Sequence, residues 1–107
     1  MEIRDMFSKE RTSFDLKATT KEEVIDELID ILYKDGKITD KEEFKKAVLK
    51  REEEFSTGIG MGIAIPHGKS AAVKEASIVF GKSTKGIDFN SMDGEPAHLF
   101  FLIAVPE

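Results

Sequence analysis

Apolar positions recur with a helical period in the first half of the chain and with a strand period in the second. Val24, Leu28, Ile31 and Leu32 follow helical spacing, and Ile25 and Ile29 widen the stripe. Thr20 followed by Glu23 is a capping-box signature, and Gly36 stands where a glycine closes a helix. The pattern predicts an amphipathic helix over residues 20–35. A second start follows, with Thr39 or Asp40 as cap and Glu42 or Glu43 at the reciprocal position. Phe44, Ala47 and Val48 form its stripe, and it should end near Glu54. Upstream, Ile3 to Phe7 reads as a short helix and Phe14 to Leu16 as a short strand.

Beyond Phe55 the character changes. Ser56 to Gly62 reads as a flexible glycine loop. Ile63 to Ile65 alternates as a short strand, and Pro66-His67-Gly68 reads as a turn. Ser77 to Gly81 and Gly86 to Phe89 read as two strands, with Asp93-Gly94 as a tight turn after them. His98 to Val105 is the most apolar strand, with large side chains on both faces, so it should be covered on both sides. On strict alternation His98, Phe100, Leu102 and Ala104 share one face. Helices first and strands after predict an α/β sandwich, a mixed β-sheet flanked by helices.

Composition narrows the function classes. With 107 residues the chain fits one domain, taken as 1–107. A net charge of −5, with Lys, Arg, Asp and Glu interspersed from Lys21 to Glu54, disfavours a nucleic-acid partner. The chain has no cysteine, so thiol nucleophiles and thiolate metal sites are excluded. No apolar run approaches the roughly 20 residues that cross a bilayer. The expectation is a cytoplasmic domain.

The informative stretch runs from Arg51 to Gly68. Gly68-Lys69-Ser70 matches the tail of a nucleotide-binding loop, but the glycine required five positions earlier is Ile63, and Pro66 lacks an N–H. The dinucleotide fingerprint fails too, because a strand follows Gly58, Gly60 and Gly62. With only His67 and His98 as histidines, no metal and no cofactor is expected. The residues alone leave two readings of His67 open. One is an ordinary turn histidine. The other is a nucleophile, since neutral imidazole offers one lone pair near physiological pH. Arg51, Ser56, Thr57 and loop N–H groups are then candidate donors to developing negative charge. Arg51 otherwise reads as a solvated helix end.

The runs Arg51-Glu52-Glu53, Ser56-Thr57-Gly58-Ile59-Gly60 and Gly62-Ile63-Ala64-Ile65-Pro66-His67-Gly68 resemble the signature of the fructose/mannitol-type EIIA family of the sugar phosphotransferase system. Lys21-Glu22-Glu23, Gly86 to Phe89 and Leu102 to Pro106 resemble its flanks. The resemblance implies that His67 accepts a phosphoryl group on Nε2 from the small carrier HPr and passes it to an EIIB domain. Nδ1 should then be held by a hydrogen bond. A membrane EIIC enters only indirectly. By the same resemblance Arg51 stabilises the phosphate and Thr57 supports it by hydrogen bonding. Ile59, Met61 and Glu52 to Glu54 are candidate partner contacts. The alternative within the signature is a nitrogen-type or regulator-associated module that signals through phosphorylation state. The family's second active-site histidine follows the Val-Pro-Glu stretch, and His98 is not a substitute for it. The chain therefore reads as truncated relative to the family, and self-association through an uncovered sheet face is expected.

Overall fold

The computed structural model describes residues 3–107. Two 3-10 helices, Ile3–Met6 and Lys9–Arg11, lead into β1 (Thr12–Ser13), α1 (Lys21–Lys34) and α2 (Lys41–Glu54). The strands β2 (Gly58–Gly60), β3 (Ile63–Ala64), β4 (His67–Ser70), β5 (Ser77–Ile87) and β6 (Ala97–Pro106) follow.

The helix boundaries follow local chemistry. Thr20 accepts from Glu23 N at 3.2 Å, while Glu23 reaches back to Thr19 N at 3.1 Å, one residue beyond the usual reciprocal arm. At the other end Gly36 N bonds Tyr33 O and Lys37 N bonds Leu32 O, the paired closure of a Schellman motif. Asp40 caps α2, accepting from Glu43 N at 3.1 Å. Lys45 bridges Glu22 and Asp26 and joins the helices at the surface.

The sheet is mixed and has the order β1-β5-β6-β3-β2, with β4 also on β6. The central strand β6 pairs antiparallel with β5 along one side. Along its other side it pairs parallel first with β3 (Ile63 beside Leu99) and then with β4 (His67 beside Ile103). Hence β3 and β4 form a single line of chain, interrupted at Ile65 and Pro66.

Both helices cover the same face. Val24, Ile25, Leu28 and Leu32 of α1, and Phe44 and Val48 of α2, are fully buried with Phe100, Leu102 and Ala104 of β6. A Cβ on Gly81 would lie 2.8 Å from Leu28, and one on Gly68 would lie 2.9 Å from Val48. The helices thus press directly on the strand backbones. On the opposite face Phe101 is half-buried, with a row of rings running from Phe14 through Phe80 and Phe101 to Phe7 at centroid spacings of 6.0, 5.2 and 6.5 Å. Phe14 at the end of this row is 71% exposed.

Several expectations are corrected. The first strand lies at Thr12–Ser13, not at Phe14–Leu16: Phe14 turns out to solvent, and Leu16 turns into the core while its N–H bonds Lys82 O. The glycine stretch is no loop, because Gly58–Gly60 pairs with β3. The Pro66-His67-Gly68 turn is absent, because His67 opens β4. The strands expected at 77–81 and 86–89 are one strand ending at Ile87, with a register shift taken up at Gly86, whose φ is +85°. Strict alternation also fails at the start of β6. His98 N and Leu99 N both donate to Gly62 O, so one residue is extra and Ala97 takes the buried place assigned to His98.

The two faces can be told apart by mutation. In the 107-residue chain, Phe100→Ala should cost about 3–5 kcal/mol, as for a fully enclosed aromatic. Phe101→Ala, on the half-open face, should cost clearly less. Urea unfolding of both variants checks this, and equal or reversed costs would mean that the faces are wrongly assigned.

Candidate functional site

His67 occupies its position because of the residue before it. Pro66 has no N–H to give to the ladder, so pairing with β6 stops after Ala64 and resumes at His67. Across the gap Pro66 O still accepts from Ile103 N at 3.0 Å, which keeps the chain against β6. Ile65 turns the other way, and its N–H goes to Thr57 O at 2.9 Å. Its carbonyl is left free of the ladder and lies 3.0 Å from His67 Nδ1. A carbonyl only accepts, so Nδ1 carries the proton and the Nε2 lone pair is unprotonated. Among the described residues Nε2 has no hydrogen-bond partner. His67 is half-buried and shares the open face with Ile103.

Gly68 points the opposite way, into α2. A Cβ there would meet Val48 Cγ2 at 2.9 Å and Val48 N at 3.2 Å. Glycine is therefore required by the close approach of helix to strand. That contact also places Arg51, because it stands one helical turn beyond Val48. Its Nη1 donates to Phe55 O at 2.9 Å and closes the end of α2.

Thr57 sits deeper than a phosphate ligand would. It is 4% exposed, and both its N–H and its Oγ1 donate to the Glu52 carboxylate at 2.7 Å. Its carbonyl holds Ile65, as above. Glu52, grouped in the sequence with Glu53 and Glu54 as an outward acidic contact, is turned inward and only 8% exposed. Lys21, from the first turn of α1, pairs with it at 3.0 Å and lies over the Phe89 ring. Sequence reasoning missed this network because Lys21 is 31 positions from Glu52, and a Lys/Glu-rich helix gives no sign of which carboxylate turns in.

A second missed residue is Asp93. The hairpin tip Gly60-Met61-Gly62 has φ values of +96°, +57° and +77°, a run in which Met61 is strained. Asp93 accepts from Met61 N at 3.0 Å and from Glu95 N at 3.0 Å, which stabilises this backbone. The tip presents Met61 at 91% exposure, with Ile59, Phe55 and Met92 also exposed.

His98 is not brought to His67. It lies five residues along β6 from Ile103, roughly 15 Å away. Its Nδ1 is held by Ser83 O at 2.9 Å.

Residues 5–107 match the family model described as the phosphoenolpyruvate-dependent sugar phosphotransferase system, EIIA 2. The fructose-specific EIIABC component of Bacillus subtilis is 47% identical over the whole of this chain, which spans 17% of that protein. The fructose-specific EIIA component of Haloferax volcanii is 42% identical over 91% of this chain, which spans 63% of it. Among solved structures, nitrogen regulatory protein IIA-Ntr of Neisseria meningitidis superimposes with a TM-score of 0.90 at 30% identity, covering 98% of this chain and 71% of that one. The mannitol enzyme IIA of Escherichia coli, solved in complex with phosphorylated mannitol enzyme IIB, gives a TM-score of 0.81 at 30% identity, covering 94% of this chain and 70% of that one.

The hairpin tip should respond to acid through Asp93. The Met61 and Glu95 N–H groups that it accepts hold its carboxyl below the ordinary aspartate range. A depressed group contributes fully above its unfolded value, and the contribution is lost as pH falls through the folded value. The Met61 and Glu95 amide resonances should therefore titrate together, with a midpoint below that of a free aspartate, and Asp93→Asn should abolish the transition. Independent midpoints, or a common one at the ordinary value, would contradict the clamp.

Proposed function

The chain belongs to the EIIA type 2 family of the phosphoenolpyruvate-dependent sugar phosphotransferase system, and from that premise we propose that it is a phosphoryl carrier whose acceptor atom is His67 Nε2. The observation that carries this reading is the hydrogen bond from Nδ1 to Ile65 O, which leaves Nε2 as the basic nitrogen. In the forward step the Nε2 lone pair attacks the phosphorus of phospho-HPr. The new N–P bond forms as the donor's N–P bond breaks, and the donor imidazole leaves with that electron pair. Nδ1 keeps its proton, and the positive charge this places on the ring is eased by Ile65 O. The return step passes the group to an EIIB domain. The E. coli relative solved with phosphorylated enzyme IIB supports that acceptor class.

Arg51 is the proposed phosphate ligand. Its bond to Phe55 O occupies only Nη1, and rotation of the guanidinium toward His67 would offer a bidentate fork to the phosphoryl oxygens. Thr57 supports the site from beneath, through Ile65. The exposed Ile59 and Met61 are the proposed apolar contacts of the protein partners. No helix among the described residues is long and apolar enough to cross a membrane, and a cytoplasmic location is proposed with the family's role. A second reading, signalling through phosphorylation state, is favoured by the likeness to nitrogen regulatory protein IIA-Ntr. Neighbouring permease genes would favour transport, and sigma-factor genes regulation.

Incubation with phosphoenolpyruvate, Enzyme I and HPr should add one acid-labile phosphoryl group, seen by intact mass and absent in His67→Ala. Labelling that persists in His67→Ala would overturn the assignment. Arg51→Ala should slow transfer about a hundredfold while leaving the melting transition in place. Arg51→Lys should restore only part of the rate, because an ammonium lacks the fork. An unchanged rate in Arg51→Ala would leave the arginine as a helix-end group only.

A further inference from the structure

Glu52 is the one carboxylate of α2 turned inward, whereas Glu42, Glu43, Glu53 and Glu54 are exposed. Burying a carboxylate is costly unless it is paired and hydrogen-bonded. Here both oxygens are used: Oε1 accepts from Thr57 Oγ1, and Oε2 accepts from Thr57 N while pairing with Lys21. The residue held in this way is the one whose carbonyl fixes Ile65 N, and the Ile65 carbonyl in turn takes the His67 Nδ1 proton. The first link, Lys21 to Glu52, is an ion pair at 3.0 Å, and each later link is a hydrogen bond of 3.0 Å or less. The chain runs unbroken from the start of α1 to the imidazole.

We infer that Glu52, anchored by Lys21, is a positioning residue for His67. It fixes Thr57, and through Thr57 it aims the Ile65 carbonyl that selects the His67 tautomer and orientation. The inference rests on the reading of His67 Nε2 as the phosphoryl acceptor. It adds that the reactive tautomer is set by a buried charge 15 positions before the histidine, and not by the phosphate ligands. The geometry leaves no direct role for Glu52 in the reaction, because its oxygens face Thr57 and Lys21.

The mechanism is electrostatic as well as steric. If Glu52 loses its charge, one strong acceptor for the Thr57 pair is weakened and Lys21 is released toward Phe89 O and Asn90, its other partners. Thr57 then has freedom to shift, and the Ile65 peptide with it. Once Ile65 O drifts off the imidazole, nothing prevents the proton from moving to Nε2, where it blocks attack.

The test is nitrogen NMR of the unphosphorylated chain, labelled in its histidines, alongside transfer kinetics. In the wild type the His67 resonances should report one tautomer, protonated on Nδ1. Glu52→Gln keeps the shape and removes the charge. It should show a second tautomer and a turnover with phospho-HPr lowered about ten- to hundredfold, with KM for the donor unchanged. Lys21→Met and Thr57→Val remove the neighbouring links, and each should shift the tautomer in the same direction, which keeps the inference testable if Glu52→Gln does not fold. A folded Glu52→Gln with the wild-type tautomer, or a loss expressed only in KM, would overturn the inference, as would wild-type tautomers in both neighbouring variants. A tautomer shift in a chain that accepts no phosphate even as wild type would instead overturn the phosphoryl-carrier reading and leave the positioning intact.

Discussion

The chain beside β6 contains a proline, and a proline cannot donate to a strand ladder. Pairing therefore stops after Ala64 and restarts at His67. Of the two residues between, Pro66 keeps its carbonyl on Ile103 N of β6, and Ile65 turns away and gives its N–H to Thr57 O. What remains is one carbonyl outside the ladder, two residues before a histidine. It accepts the Nδ1 proton. The proposed site is thus a gap in a strand, and the chemistry proposed for it follows from the group the gap leaves over.

A gap serves only if its edges are firm. Behind it α2 sits so close to β4 that position 68 has no room for a side chain. Below it Glu52 and Lys21 hold Thr57. These supports come from α1, α2 and the Thr57 segment, so the histidine's environment depends on the tertiary fold and not on the local turn that the sequence suggests. Both helices lie on the far face, which leaves His67 on the open face. A phosphoryl group exchanged between proteins needs that access.

Much of this was legible in the sequence. Both helices, with Asp40 as a cap and Gly36 as a stop, follow from periodicity and capping chemistry. The mixed sheet followed from the order of elements, and the signature shared with the EIIA family singled out His67 and Arg51 as the residues of the proposed site. The errors have physical causes. Pro66-His67-Gly68 has the composition of a turn, but pairing with β6 overrides it. Gly86 looked like a break because glycine marks breaks and bulges alike. The inward turn of Glu52 was unreadable, because its partners are set by the packing of α1 against the sheet. His98 was misplaced by one residue, because a bulge shifts alternation without leaving any mark in composition.

A nitrogen regulatory protein and a mannitol enzyme IIA share this fold, and the carrier role proposed for His67 serves either use. In the proposed reading the bond to Ile65 O leaves one nitrogen, Nε2, as the acceptor. The most direct measurement is therefore the point of attachment in the phosphorylated chain, read from phosphorus–nitrogen couplings in a sample labelled at its histidines. Coupling at His67 Nε2, with Nδ1 still protonated, is the expected result. Coupling at Nδ1 would require the bond to Ile65 O to be broken, and would contradict the role assigned to the gap at Pro66.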